Sequence, residues 1–298
     1  MVTYHRLNSF VGRNDELTQL DVLFNDGARL VTIVGTGGTG KTRLSQQYVA
    51  KTSYEGEVWF WELNDARSVA GIARAIAEAM DLTLAEDPVG QLGYVIANMG
   101  PVLVVLDNFE QVVAHAAETV GTWLHLAPQA RFVVTSRMPL LIEGEQVLHL
   151  APLQKHDALE LFVQRSREFD SSFCLGESNQ KTVAQIVERL DGIPLAVELA
   201  APWIRLLSPE QILNRLDERF KLLRSQGSQK NTLRATIEWS WNLLNPLQRY
   251  ALGQCSVFRD GFSIESAEEV LDFTFWRDAP WILEIVRTLV DHSLLRSS

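Results

Sequence analysis

The chain has 298 residues, 46% apolar and 21% charged, a make-up that fits a soluble folded protein and excludes disorder, collagen and coiled coil. At roughly 150 residues per domain this length implies two domains or three small ones, with cores large enough to need no staples. With 27 basic against 37 acidic side chains the net charge is −10, which argues against nucleic acid as the partner but leaves room for a single nucleotide held in a local cradle of amides.

The N-terminus, MVTYHRLNSF, has neither the apolar core nor the cleavage site of a signal peptide. Next come short apolar runs that read as strands: RLVTIVG (29–35), EVWFWEL (57–63), PVLVVLD (101–107), RFVVTS (131–136) and QVLHL (146–150). Between them, 41–52, 68–82, 89–99 and 109–127 carry helical periodicity. Strands alternating with helices predict an α/β domain whose parallel sheet is covered on both faces, and the near-continuous apolar strands agree with that. After Pro152 the strand signal stops, and helical stripes run through 155–170, 179–191, 194–206 and 208–223, the last opened by Ser208-Pro209-Glu210. RSQGSQKN (224–231) reads as a linker, and 232–244, 246–255, 264–272 and 279–291 as further helices, with a turn at Arg259-Asp260-Gly261. The expected organisation is 1–152, an α/β domain; 153–226, a helical domain; and 227–298, a second small helical domain. No stretch is apolar for long enough to cross a membrane, because Glu198, Pro202 and Arg205 interrupt the longest one. Cys174 and Cys255 make no disulfide framework, so a reducing, cytoplasmic setting is expected.

Residues 35–42, Gly-Thr-Gly-Gly-Thr-Gly-Lys-Thr, match G-x-x-x-x-G-K-[ST] in the required place, after an apolar strand and at the head of a helix. Glycines let such a loop curl its amides around phosphate oxygens, and the helix N-terminus adds its positive end. Gly35, Thr36, Gly37, Gly38, Thr39, Gly40, Lys41, Thr42 and Arg43 are therefore the expected cradle for ATP or ADP. Lys41 is expected to reach the β- and γ-phosphates, and the Thr42 hydroxyl to complete the magnesium octahedron. PVLVVLD supplies the second magnesium residue, Asp107. Arg137, after the strand RFVVTS, lies where ligands bind in open α/β sheets and is the candidate γ-phosphate sensor. Asn108 occupies the position after Asp107 where a general base is usual, and Glu110 opens the helix expected at 109–127. An amide orients water but takes no proton, so hydrolysis should be slow.

Together these residues resemble the STAND class of P-loop ATPases, the NB-ARC-like signalling switches, and most closely the bacterial ATPases associated with transcriptional regulators. Phe10 to Leu17 (FVGRNDEL) is similar to the N-terminal hhGRExE motif of the class, with Asn14 in place of the usual Glu. The resemblance implies that Val11 and Arg13 lie beside the adenine, that VVTSR (133–137) is a sensor strand, and that Pro194 of Gly192-Ile193-Pro194-Leu195 packs on the base. Proline at a first helical turn loses no hydrogen bond and offers a flat apolar face. The resemblance also makes 227–298 a winged-helix domain that runs short at its C-terminal end, and implies a homo-oligomer in the ATP state or a partner effector or sensor protein. His292 falls earlier than the late histidine of the class, so a structural role is expected for it.

Trp59, Phe60 and Trp61 read as sheet core, and one of Trp239 and Trp241, two apart on a helix, is expected at a domain seam. From Ser228 to Ser298 there are 7 basic side chains against 9 acidic ones, so this segment reads as a moving lid rather than a DNA reader. An ordinary P-loop phosphotransferase and a DNA-binding regulator with ATP as effector are the alternatives. Steady-state ATP turnover is expected to stay well below many per second; a phosphate-release assay checks this.

Overall fold

Leu30, Ile33, Val102 and Val104 are wholly shielded from solvent, as strands covered on both faces require. The computed structural model describes residues 9–52, 54, 56–216, 241, 244–258, 261–276, 279–291 and 294–295. The five apolar runs form β1 (Leu30–Val34), β2 (Glu57–Glu62), β3 (Val102–Asp107), β4 (Ala130–Ser136) and β5 (Glu145–His149). All pair in parallel, in the order β2-β3-β4-β1-β5.

Successive strand residues face opposite sides, which divides the core in two. Leu30, Val102, Val104, Leu106, Phe132 and Val134 pack with α3 (Val69–Ala79), α4 (Pro88–Asn98) and Trp123 of α5 (Thr122–Leu126). Val31, Ile33, Leu103, Val105 and Val133 pack with α1 (Asn14–Asn25) and α2 (Lys41–Lys51), through Leu20, Phe24, Leu44 and Tyr48. This is the α/β P-loop NTPase fold expected from the sequence. Asp107 and Thr135 have the same strand parity as Val105 and Val133, so both belong to the side that carries α2.

Three elements depart from the sequence expectation. The sequence assigned no helix to 14–25, where α1 buries Leu17, Leu20 and Phe24. The helix expected over 109–127 begins instead as 3₁₀ turns at Phe109–Gln111 and Val113–His115, continues as a π turn at Ala117–Gly121, and becomes α-helical only in α5. A 3₁₀ turn eclipses residues three apart, and Phe109 and Val112 are both fully buried. The stripe over 194–206 splits into α8 (Pro194–Ala200) and a 3₁₀ segment, Ala201–Arg205. Pro202 has no amide hydrogen and its ring clashes with the carbonyl four residues back, so the α-helix stops.

By contacts the chain divides into two compact units, one comprising Met1–Gly35, Thr39–Leu161 and Asp191–Pro194, the other Thr36–Gly38, Phe162–Leu190 and Leu195–Ser298. In the second unit, α9 (Pro209–Arg215) starts with a reciprocal capping box between Ser208 and Gln211. It also contains α7 (Gln180–Arg189), α10 (Pro246–Cys255), α11 (Ile264–Val270) and α12 (Ile282–Asp291). The last three helices bury Ala251, Cys255, Ala267, Ile285 and Leu289 in a small core. Both cysteines are free thiols. The expected linker 224–231, Trp239, His292, Arg259 and Asp260 of the expected turn, residues 217–223 of the expected helix 208–223 and most of the expected helix 232–244 lie outside the described residues; Trp241 is exposed. Among the described residues no helix is long and apolar enough to cross a membrane.

Trp123 is fully buried, and its indole N–H donates to the Val89 carbonyl at 3.0 Å. Trp123→Ala should destabilise the α/β unit by about 3–5 kcal/mol in urea unfolding, whereas Tyr94→Ala, at an exposed position on α4, should stay within about 0.5 kcal/mol.

Candidate functional site

The loop between β1 and α2 needs glycine for two separate reasons. Gly40, which caps α2, sits at φ 94°, a left-handed conformation that side chains disfavour. A Cβ on Gly35 would lie 2.7 Å from the Leu150 carbonyl oxygen, so only glycine allows the strand to pass this close. At the loop's end, α2 begins at Lys41 with no side-chain cap, and a helix N-terminus of this kind presents its positive end to the loop.

Lys41 is buried, and its ammonium donates to the Gly35 carbonyl at 2.8 Å. Burial lowers its pKa to about 8; the Glu110 charge opposes the shift, Arg137 adds to it, and Asp107 opposes it. The Thr42 hydroxyl donates to Asp107, lying 2.8 Å from Oδ1 and 3.0 Å from Oδ2. Asp107 also accepts from the Thr135 hydroxyl at Oδ1 and from the Asn108 amide at Oδ2, 3.1 Å away. Burial still raises the Asp107 pKa, and these hydroxyl bonds only partly offset it. Thr42 and Asp107, 65 residues apart, thus bring hard oxygen donors together, the ligand chemistry magnesium prefers. A glycine loop, a helix N-terminus and a buried lysine likewise suit a polyphosphate.

The strand order explains why Arg137 belongs here. β4 lies between β1, which leads into the loop, and β3, which ends in Asp107. Whatever follows β4 therefore emerges between the two. Arg137 is buried there and donates from Nε to Glu110 Oε1 at 3.2 Å.

The remaining expected residues surround the loop. Val11 is buried, and Arg13, itself in a left-handed conformation, caps α1. The Arg13 guanidinium donates to Glu16 at 2.6 Å, to the loop carbonyl of Thr39 at 3.3 Å and to the Ala151 carbonyl at 2.6 Å. Arg43 donates to the Ser9 carbonyl at 3.0 Å. Pro194 opens α8, and the next amide, of Leu195, donates to the loop carbonyl of Gly38 at 3.1 Å. Sequence reasoning missed Thr135, Asn108 and Glu110 as partners in this cluster. Asn108 sits at φ 62°, a conformation asparagine tolerates, and is tied to Asn64 and Thr135. That reversal turns the 3₁₀ segment back over the sheet edge and buries Glu110 against Arg137. Asn directly after a strand, as a left-handed turn former, is the signal that could have revealed it.

Among solved structures the fold is similar to the Walker-type ATPase PABY2304 of Pyrococcus abyssi, with a TM-score of 0.56 at 15% identity over 95% of this chain and 90% of that one. That likeness concerns the fold, which is that of the P-loop ATPases. No protein-family model matches the chain. The uncharacterized protein Rv0894 of Mycobacterium tuberculosis is 35% identical over 277 residues, covering 90% of this chain and 70% of its own length. The chain belongs to the same family as Rv0894. A second protein of that organism, named "Putative HTH-type transcriptional regulator Rv0890c", is 33% identical over 274 residues, 90% of this chain but 31% of its own.

Lys41 also makes a pH prediction. An ammonium with its pKa lowered from 10.5 to about 8 destabilises the fold below pH 8, and that penalty fades as pH rises from 8 towards 10.5 because the unfolded chain then holds the extra proton. Without nucleotide, Lys41→Met should therefore be more stable than the native sequence at pH 7, and the gap should close by about pH 10 in denaturant titrations.

Proposed function

We propose that this protein is an ATP/ADP-binding switch of the STAND class with slow, magnesium-dependent ATP hydrolysis. The observation that carries this is the Thr42–Asp107 contact beside the glycine loop, with Arg137 emerging between β1, which leads into that loop, and β3, which ends in Asp107. In this reading the loop amides and Lys41 hold the β- and γ-phosphates, and Thr42 and Asp107 hold magnesium. When bound, that ion neutralises charge on the phosphate oxygens. Arg137, held at Nε by Glu110, donates to the γ-phosphate and so distinguishes ATP from ADP. Val11, Arg13 and Pro194 border the adenine side, as the family resemblance implies.

ADP favours a closed state, and ATP an open, self-associating one, with residues 1–152 as the nucleotide domain, 153–226 as the helical domain and 227–298 as a winged-helix lid. A nucleotide moves such a balance only by its difference in affinity between the states. Going from 1:99 to 99:1 takes about 5.5 kcal/mol, a scale within reach of several charge-assisted bonds to one γ-phosphate. A second reading, a DNA-binding regulator with ATP as effector, draws on the name of the relative Rv0890c. A salt-dependent gel shift by this chain would favour it.

Denaturing freshly purified protein should release close to one ADP per chain, identified by chromatography. Lys41→Ala should abolish binding of both nucleotides. Arg137→Ala should leave ADP affinity within about threefold and blunt the response to ATP by tenfold or more, about 1.4 kcal/mol, in fluorescent-nucleotide titrations. Equal loss of both nucleotides in Arg137→Ala would rule out the sensor role.

A further inference from the structure

The cluster contains two buried carboxylates, and their surroundings differ. Asp107 is engaged at both oxygens, by Thr42, Thr135 and Asn108. Glu110 is engaged at one. Its side chain is 7% exposed, Oε1 accepts from Arg137 Nε, and Oε2 is buried with no hydrogen-bond partner among the described residues. A buried carboxylate oxygen left unpaired carries an uncompensated desolvation penalty, so such an oxygen calls for a donor that binds there in the working state. The donor must be small and polar, and water meets both conditions.

The position of Glu110 favours that assignment. Its charge acts on Lys41 and on Asp107, which places it within electrostatic reach of both the phosphate lysine and the metal carboxylate. Arg137 fixes its orientation from the neighbouring strand end. The residue directly after Asp107 is Asn108, whose amide is occupied by Asn64 and Asp107 and cannot take a proton. Glu110 reaches the site from three residues beyond Asp107 because the chain reverses at Asn108.

We propose that Glu110 is the general base of ATP hydrolysis, taking through Oε2 the proton of the water that attacks the γ-phosphorus. This rests on the nucleotide reading above and supplies the base which that reading lacks. The water oxygen forms a bond to phosphorus as its proton passes to Glu110. The bond from phosphorus to the bridging oxygen breaks, ADP leaves with the electron pair, and the proton is then released to phosphate or solvent.

The test uses the full chain with ATP and magnesium, measuring affinity by fluorescent-nucleotide titration and chemistry by single-turnover phosphate release. Glu110→Gln keeps the shape of the side chain and should lower the hydrolysis rate by 10²-fold or more while ATP affinity stays within about threefold. Glu110→Ala should be similarly slow and should recover at least tenfold with added formate, a recovery that a purely structural role would not show. Glu110→Gln hydrolysing within threefold of the native rate would overturn the proposal, as would loss of ATP binding in both variants. A native chain that binds no ATP would overturn the nucleotide reading itself, an outcome visible in the titration before any variant is made.

Discussion

The bond between the Thr42 hydroxyl and the Asp107 carboxylate joins two segments that are distant in sequence and whose strands are not neighbours. For it to form, β1 and β3 must end level with each other while β4 lies between them. The register achieves this: Val31 pairs with Val133 and Val105 pairs with Val133, so equivalent rungs of all three strands lie in line. The two-sided core holds that register, since a slip of one residue would move Val31, Ile33, Val105 and Val133 to the face of the other helix layer. The polar cluster thus depends on the packing of the apolar strands beneath it.

Much of this was legible in the sequence because the relevant chemistry is local. The glycine loop, Lys41 and Thr42 lie within eight consecutive residues, and Asp107 ends an apolar run whose length marks it as a buried strand. The strand boundaries follow for the same reason: Leu30–Val34 and Val102–Asp107 are bounded by glycine, proline or polar residues. Strand order is different. Nothing in the spacing of 101–107 and 131–136 indicates that the later strand inserts between the other two, and without that fact Arg137 is only an arginine after a strand.

The misses are also physical. Helical periodicity over 109–127 is real, since Phe109, Val112, Ala116, Val120 and Trp123 are all buried, but that stripe suits 3₁₀, π and α turns alike. Reading it as one α-helix made Glu110 only the opening residue of that helix. A single left-handed residue, Asn108, puts it in the site instead. Thr135 was overlooked because in a strand of apolar residues a threonine reads as a β-former, and its bond to Asp107 exists only once β3 and β4 are paired.

Arg13 and Leu195 give the phosphate loop a mechanical character. The carbonyls of Gly38 and Thr39 are consecutive, and each accepts a bond from outside the loop, one from the Leu195 amide and one from the Arg13 guanidinium. Arg13 also grips the Ala151 carbonyl; two residues on, the Leu153 amide donates to Gly192, three residues short of Leu195. These bonds close a circuit that starts and ends on adjacent peptide groups of the loop. A displacement at any point of the circuit must either be carried around to the loop or break one of four hydrogen bonds. The peptide groups that tether the loop are therefore also a gauge of strain, and the segment after β5 is coupled to the shape of the loop.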